Sequence, residues 1–380
     1  MKNKKSLSQE GRKTLRETLR QGVERGVFPG AVLLVSIGGK VVFHEAAGYA
    51  SLKPRKVKMT RRTFFDLASL TKPVATTSSA MKLVEESAIR LSDRVDRWIP
   101  DFKGRGKSAV TIRHLLNHSS GLRAWEPIYK RLIPACRKNR RFISKGKARE
   151  AILDRVIQNR LVYTPGTKSI YSDLGFILLG EIIERATGRR LDSFCAKEIF
   201  KPLKMNHTFF ISGFVSGKKA PKGSFAATER SSWRKKIIRA EVHDDHAFCM
   251  GGYAGHAGLF GNARDLDRFA QAMLKGWMGR RTLFSKNTVR RFTRRQKTPK
   301  SSWALGWDTP SAGSSSGNYF SKQSFGHLGY TGTSLWIDPK RELSVVLLTN
   351  RVHPTSRNVK IRDYRPRIHD LIVKELLSGR

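Results

Sequence analysis

Cysteine, long apolar runs and acidic side chains are all scarce in this chain of 380 residues. Its three cysteines, Cys136, Cys195 and Cys249, are far apart and odd in number, which excludes a disulfide framework and the usual cysteine spacings of metal sites. The longest apolar stretches, residues 31–37 and 174–183, fall short of the roughly 18 residues that span a membrane. We therefore expect buried or incidental thiols and no transmembrane segment.

The first residues, MKNKKSLSQEGRKTLRETL, are basic, but no apolar stretch follows them as it would in a secretory signal. Hydrophobic residues make up 39% of the chain, which is enough for a sizeable core. These features predict a cytoplasmic globular protein of one large or two ordinary domains. A periplasmic or peripheral-membrane location stays open.

The shortage of acidic residues leaves 30 Asp and Glu against 74 Lys and Arg, a formal net charge of +44. Such a charge predicts attraction to polyanions such as nucleic acid, anionic membranes or wall polymers. The basic residues are dispersed, with denser stretches at residues 130–149, 230–239 and 290–300, and none matches a nucleic-acid-binding signature. A solvated basic surface is the favoured interpretation, and a polyanion site is the alternative.

Strand patterns lie near both ends of the chain. Residues 30–50 predict a hairpin that turns at Gly38-Gly39, and residues 325–350 predict two strands around a turn at Asp338-Pro339. Helices are predicted at residues 9–26, 69–87, 149–158 and 174–187, and from about Ala263. Another is expected to end at Gly121, and a closing helix at 366–377 is expected to have Pro366 in its first turn.

This order predicts a mixed α+β fold. An antiparallel sheet built from the N- and C-terminal segments would be flanked by helices, with a helical domain inserted. The expected sheet domain comprises residues 1–75 and 255–380, and the expected helical domain comprises residues 76–254. A cleft between them is the natural site for a ligand.

Ser-x-x-Lys occurs five times in the chain, beginning at Ser69, Ser79, Ser144, Ser216 and Ser232. Only Ser69 stands where an apolar, strand-like run changes into a helix, and a helix N-terminus favours negative charge beside it. Lys72 lies one turn further on, where its amine can reach the Ser69 hydroxyl. The pair is thus either a nucleophile with its activating amine or a helix cap with a surface lysine.

Two further short motifs follow. Tyr171 and Asp173 precede the helix predicted at 174–187, where capping by Ser172 or Asp173 is the alternative interpretation. His327 and Gly329 lie in FGHLGYTGTSLW, where glycines let a substrate approach the backbone closely. A half-buried histidine in an edge strand is the alternative there.

Ser-x-x-Lys, Tyr-x-Asp and His-x-Gly, in this order, resemble the motifs of the serine β-lactamase and penicillin-binding protein superfamily. LASLTKPVAT, LLNHSSGL, YSDLGFILLGEIIE, GHAGLFGNARDLDRFAQ and GHLGYTGTSLWIDP are similar to its class C-like branch, which also holds esterases and D-amino-acid peptidases. The resemblance covers residues 22–350. It implies a β-lactamase/transpeptidase-like fold and a serine hydrolase that needs no cofactor.

The resemblance also implies a role for each matching residue. Ser69 would be the nucleophile that forms an acyl-enzyme, Lys72 would activate it, and Tyr171 would carry the proton to the leaving group. The backbone N–H groups of Ser69 and Tyr330 would form the oxyanion hole, and His327, Gly329 and Asp173 would contact substrate. Physical reasoning agrees, because acyl transfer needs a nucleophile, a proton acceptor within reach and fixed donors directed at the developing oxyanion.

Two positions depart from the superfamily pattern. Asp173 stands where Asn is more common, and a carboxylate can only accept hydrogen bonds. Its charge would also keep Lys72 protonated, which favours Tyr171 as the working base. His327 stands where classical β-lactamases have Lys, and a largely neutral imidazole anchors a substrate carboxylate less firmly. Both departures favour an esterase-like hydrolase of small esters or amides.

Two alternative functions remain. A D,D-carboxypeptidase of wall metabolism would act on D-amino-acid peptides. A non-catalytic protein would bind a polyanion through its basic surface. His243 and His246 in VHDDH suggest a metal, but their spacing fits no standard site, so no metal is expected.

Overall fold

The computed structural model describes residues 7–139, 141–213, 220–280 and 282–378. Its main sheet has six antiparallel strands in the order β3-β2-β1-β11-β10-β9. These strands are β1 Gly30–Ile37, β2 Lys40–Ser51, β3 Val57–Lys58, β9 Phe325–Leu328, β10 Ser334–Asp338 and β11 Leu343–Thr349. The mixed, antiparallel fold with flanking helices that the sequence predicts is therefore confirmed.

Two smaller sheets complete the β structure: β4 Phe65–Asp66, β8 Leu259–Gly261 and β5 Phe209–Phe210 in one, and β6 Arg230–Ser231 and β7 Lys236–Ile237 in the other. The α-helices within the described residues are α1 Gln9–Glu24, α2 Ser78–Glu85, α3 Val95–Trp98, α4 Ile112–Leu116, α5 Tyr129–Lys138, α6 Arg141–Ser144, α7 Lys147–Gln158, α8 Asp173–Thr187, α9 Leu191–Cys195, α10 Asp245–Cys249, α11 Ala263–Trp277, α12 Lys286–Thr293 and α13 Ile361–Ser378.

Both faces of the central strands are buried. Leu33 of β1 packs on one side with α1 and α13, whereas Leu34 packs on the other with the helical middle of the chain. Because successive side chains of a strand point to opposite faces, a strand covered on both sides must be apolar throughout. This explains the apolar runs at residues 31–35 of β1 and 345–348 of β11, two strands that are buried along their whole length.

The predicted N-terminal hairpin is present. Gly38 and Gly39 form its turn with φ angles of 55° and 80°, which glycine adopts without strain. The predicted turn at Asp338-Pro339 is present, because β10 ends at Asp338 and pairs with β11. The predicted number of two strands is wrong, because residues 325–350 form three. Gly329 donates its N–H to Thr333 (2.8 Å), and this reversal separates β9 from β10.

Two predicted helix boundaries are also wrong. α4 ends at Leu116, and His118 takes the left-handed conformation (φ 59°), so Gly121 does not cap this helix. The closing helix begins at Ile361 rather than at Pro366, which therefore lies inside it. Ile361 starts the helix early because its side chain is buried with Ile368 in the core beneath α1.

The helix predicted at residues 69–87 is irregular. A 3₁₀ turn at Ala68–Leu70 leads into a π-helical stretch at Lys72–Thr77 and then into α2. Ser78 Oγ donates to the carbonyl of Pro73 (2.9 Å), five residues back, in line with the wider turn. π-Helical turns are frequent at functional sites.

No helix in the described ranges is long and apolar enough to cross a membrane. The three cysteines are buried and free, as the sequence predicts.

Gly255 lies between α8 and the π-helical stretch. A Cβ at this position would lie 2.0 Å from the carbonyl oxygen of Phe176 and 2.9 Å from the Gly180 nitrogen, both in α8. The Gly255 carbonyl accepts from Thr76 Oγ1 (2.6 Å) in the π-helical stretch. A side chain at residue 255 would therefore push α8 away from this stretch.

We predict that Gly255→Ala lowers the free energy of unfolding by roughly 1–3 kcal/mol, because overpacking strains the contact with α8. The measurement is urea unfolding followed by circular dichroism. Gly175→Ala is the matched control in α8, because its Cβ would meet its nearest neighbour, Leu115, at 3.6 Å. Equal stability of the two variants would contradict the assigned contact.

Candidate active site

Ser69 lies on the sharp 3₁₀ turn between β4 and the π-helical stretch. Leu67, which follows β4, donates its N–H to Leu259 of β8 (2.9 Å), and Ala68 then takes a left-handed φ of 48°. Asp66 Oδ1 accepts from the N–H of Ala68 (2.8 Å), which holds this uncommon conformation in place. The turn presents Ser69 to a cleft of about 1060 Å³.

The turn between β9 and β10 packs directly on the Ser69 segment. Thr331 Oγ1 donates to the carbonyl of Asp66 (2.8 Å), and Thr333 Oγ1 donates to that of Leu67 (3.0 Å). A Cβ at Gly329 would lie 2.5 Å from the Leu67 oxygen, so only glycine fits there. Sequence reasoning missed both threonines, although they lie in the GYTGTS stretch that it quoted.

Lys72 is fully buried, and its Nζ has three hydrogen-bond acceptors. These are Ser69 Oγ (3.0 Å), Asp173 Oδ1 (2.7 Å) and the backbone carbonyl of His256 (3.1 Å). An ammonium group has three N–H bonds, so each can be directed at one acceptor. This arrangement fits a protonated Lys72.

The charges around Lys72 support the same protonation state. Burial opposes its positive charge, but Asp173 and Tyr171 outweigh burial, so the pKa of Lys72 is raised above its ordinary value. Burial raises the pKa of Tyr171, with Lys72 acting in the opposite direction and Asp173 adding to the increase. The resting site therefore holds an ammonium, a carboxylate and a neutral phenol.

Tyr171 is enclosed by rings. Its ring centroid lies 4.6 Å from that of His118, 5.4 Å from Trp303 and 6.0 Å from His327. Lys72 Nζ lies 4.8 Å from the Tyr171 centroid. Sequence reasoning did not select His118 or Trp303 as site residues. The quoted LLNHSSGL motif contains His118, but no local signal indicates Trp303.

The segment from Tyr171 to Asp173 is fixed by helix capping. Ser172 Oγ accepts from the N–H of Gly175 (3.2 Å), so Ser172 caps α8. The N–H of Ser172 donates to Nδ1 of the buried His118 (3.1 Å). Capping and placement of the site residues are thus compatible, because the cap sets the direction in which Tyr171 and Asp173 leave the backbone.

His327 is buried and uncharged. Burial lowers its pKa to about 3, and the positive charge of Lys72 acts in the same direction. Its Nδ1–H donates to the carbonyl of Leu328 (2.8 Å), and its buried Nε2 has no hydrogen-bond partner in the described part of the chain. The imidazole can therefore accept a hydrogen bond at Nε2, but it cannot pair with a substrate carboxylate as a cation.

Tyr330 stands at the cleft entrance with 55% of its surface exposed. Arg351 donates two hydrogen bonds to its carbonyl (2.9 and 2.6 Å), and the guanidinium lies 4.6 Å from its ring. The His243 ring stacks on the Tyr330 ring, and the two ring centroids are 5.7 Å apart. These contacts position the Tyr330 backbone beside the Ser69 segment.

The remaining Ser-x-x-Lys matches have other surroundings. Ser79 is buried in α2 and donates to the carbonyl of Ala75 (2.8 Å). Ser144 ends α6, and Ser232 lies in the turn between β6 and β7 at the cleft wall. Ser216 lies outside the described residues. The structure thus brings together Ser69, Lys72, Tyr171, Asp173, His327, Gly329 and Tyr330.

The Beta-lactamase family model matches residues 15–368. The chain belongs to the β-lactamase family. It is 36% identical to an N-acetylmuramyl-L-alanine amidase of Bacillus subtilis (strain 168), over 88% of this chain and 80% of the relative. It is 35% identical to a putative D-alanyl-D-alanine carboxypeptidase of Salmonella agona (strain SL483), over 88% and 81% respectively.

A similar solved structure is that of EstCE1, a hydrolase with promiscuous acyltransferase activity. It has a TM-score of 0.71 and 23% identity, and the match covers 94% of this chain and 99% of that one. At this identity it supports the fold alone. The family match and the two relatives confirm the predicted superfamily. The protein is a β-lactamase-related serine hydrolase.

The ion pair between Lys72 and Asp173 leads to a stability prediction. Asp173→Asn leaves the buried Lys72 cation without its counter-charge. We therefore expect the free energy of unfolding to fall by about 3–5 kcal/mol at pH 7. Lys72→Met should lower the free energy of unfolding by less, because the Asp173 side chain is 21% exposed and keeps its contact with solvent. Chemical denaturation of the three proteins measures the difference.

The contribution of this ion pair to the stability of the fold should depend on pH. A raised lysine pKa stabilises the fold below the ordinary lysine pKa, and this stabilisation is lost as pH rises through the folded-state value. The difference in free energy of unfolding between wild type and Asp173→Asn should therefore become smaller at strongly alkaline pH. An Asp173→Asn variant no less stable than Lys72→Met at pH 7 would contradict this account.

Proposed function

We propose that this protein hydrolyses an amide or ester bond through an acyl-enzyme on Ser69. The observation that carries the proposal is the position of the Lys72 ammonium, 3.0 Å from Ser69 Oγ and 2.7 Å from Asp173. A buried cation beside a serine hydroxyl favours the negative charge that develops when the serine attacks.

Tyr171 is the proposed proton carrier. Lys72 already directs its N–H bonds at three acceptors, so it has no free lone pair for the serine proton. In its phenolate form, Tyr171 takes the Ser69 proton as Oγ attacks the substrate carbonyl carbon. It returns that proton to the leaving nitrogen or oxygen as the bond to carbon breaks. In the second half-reaction it takes a proton from the water that attacks the acyl carbon, and it returns this proton to Ser69 Oγ as the bond between Oγ and that carbon breaks.

The proposed oxyanion hole is formed by the backbone N–H groups of Ser69 and Tyr330. The contacts of Thr331 and Thr333 with the carbonyls of Asp66 and Leu67 support this proposal, because they fix the two segments against each other. Rigid placement matters, since donors stabilise an oxyanion most when they need no rearrangement during the reaction.

The favoured substrate is the amide between an N-acetylmuramyl group and L-alanine. The cleft of about 1060 Å³ is larger than a short ester needs. Its walls combine aromatic rings with guanidinium groups, which suits a ligand with apolar surface and carboxylates. They include Trp125, Tyr129, Trp233, Trp303, Arg230, Arg351 and Arg357. The name of the 36% identical relative points to the same bond.

A D-alanyl-D-alanine peptide is the second candidate, supported by the 35% identical relative. The neutral His327 disfavours it, because the free carboxylate of such a peptide would find no cation at that position. The same neutral imidazole keeps small uncharged esters among the accepted substrates.

We predict that Ser69→Ala reduces kcat at least about 10³-fold on a short-chain p-nitrophenyl ester and on N-acetylmuramyl-L-alanine, because the acyl-enzyme cannot form. Ser232→Ala should keep wild-type activity. This control also belongs to a Ser-x-x-Lys match and lines the same cleft. A fluorophosphonate should label wild type and Ser232→Ala but not Ser69→Ala.

Other outcomes separate the parts of the proposal. Ester turnover without amide turnover would reject the muramyl substrate and retain the acyl-enzyme. If neither substrate reacts and the fluorophosphonate labels no serine, the hydrolytic role of Ser69 is rejected. The proposed polyanion contact of the +44 chain would then be tested by the salt dependence of DNA binding.

Tyr171→Phe should lower kcat about 10²–10⁴-fold, because it removes the proton carrier and leaves the ring. Since burial raises the pKa of Tyr171, wild-type kcat/KM should increase with pH into the alkaline range. This increase should be absent in Tyr171→Phe. A pH profile that keeps its alkaline rise in the variant would assign the proton transfer to another group.

A further inference from the structure

A cluster of three potential metal ligands lies in the same cleft, outside the groups used above. The side chains of Asp244, His246 and His256 each bring one ligand atom within 4.8 Å of the other two. Asp244 and His246 belong to the VHDDH motif, whereas His256 comes from GGYAGHAG. His243, the histidine that the sequence paired with His246, instead contacts Glu229 (3.0 Å).

Two of the three side chains are buried with incomplete hydrogen bonding. His246 and His256 are each 1% exposed. Nε2 of His246 and Nδ1 of His256 have no hydrogen-bond partner in the described ranges. A buried polar atom without a partner costs free energy of folding. A bound ligand at these two nitrogens would remove that cost.

The cluster is held in shape by its surroundings. His256 Nε2 lies 2.9 Å from Asp244 Oδ1, which also accepts from the N–H of Ala247 (2.8 Å). The rings of Trp125 and Tyr129 contact that of His246 at 5.8 and 5.5 Å. Rigid placement of nitrogen and carboxylate ligands is what a metal site requires.

The local charge also favours a cation. Asp173 and Asp245 lie close enough to His246 to act on it electrostatically, in addition to Asp244. Asp245 is paired with Arg234, and Asp173 is paired with Lys72. Within the described residues, Asp244 is paired with His256 alone.

We propose that Asp244, His246 and His256 bind a divalent transition-metal cation of the zinc class. Two imidazoles and a carboxylate form a ligand set that zinc uses when a further position stays open. All three residues line the cleft that contains Ser69, so the open position can take water or a substrate oxygen. The His256 carbonyl also accepts from Lys72 (3.1 Å), which links this cluster to the serine site.

Metal binding is tested on the whole, chelator-treated protein by zinc calorimetry and elemental analysis. We expect one equivalent of zinc. His246→Gln and Asp244→Asn should weaken the affinity at least about 10–100-fold, since even residues behind the ligands have effects of that size. His243→Gln is the matched control and should bind zinc as wild type does, because this histidine lies outside the cluster.

Cobalt distinguishes the proposed cluster from the neighbouring thiols, since Cys136 and Cys249 lie with their sulfurs 3.8 Å apart. Co²⁺ in wild type should show visible d–d absorption without a thiolate charge-transfer band. A thiolate band would move the metal to the cysteines and overturn the proposal. Uptake of no zinc by wild type would overturn it as well, whether or not the variants fold. Circular dichroism verifies that the compared variants are folded, and neither result depends on hydrolysis by Ser69.

Discussion

The site depends on the hydrogen bonds and the ion pair of the buried Lys72 ammonium group. A cation without access to water must have its charge and its three N–H bonds satisfied by the protein. The acceptors come from Ser69, Asp173 and His256, which lie in three separate parts of the chain. Satisfying one lysine therefore brings together the serine turn, the start of α8 and the glycine-rich segment before β8. The same charge acts on Tyr171 and His327, although burial is the larger influence on the pKa of both rings.

Local sequence features predicted much of this arrangement. The Gly38-Gly39 turn, the strong helix α8 and the setting of Ser69 all depend on residues that are close together in the chain. The β9–β10 reversal and the early start of α13 could not be predicted in that way, because Thr333 and Ile361 act through distant partners. Trp303 and the His256 carbonyl illustrate the limit most clearly. A backbone oxygen carries no residue-type signal, and a lone tryptophan is as typical of a core as of a site.

The charge of the molecule differs between its surface and its site. The net charge of +44 is dispersed over the chain, and it describes long-range attraction rather than chemistry. Around Ser69, by contrast, a neutral His327, a neutral Tyr171 and the Lys72–Asp173 pair leave little net charge. Arg351, bound to the Tyr330 carbonyl, stands between these two regions. An anionic substrate would thus be attracted by the outer surface, while the bond to be cleaved would meet a nearly neutral interior.

The central pairing of the main sheet joins Ala31 to Thr349, so its two strands are separated by most of the chain. During synthesis, β1 and β2 leave the ribosome long before β11 exists to cover the free edge of β1. Contacts between such distant residues form slowly, and unpaired apolar edges promote aggregation in the meantime. The N-terminal hairpin must therefore wait for its partner as an exposed apolar ribbon. The nascent chain has a vulnerable interval that the finished protein does not show, and a chaperone would have its greatest effect there.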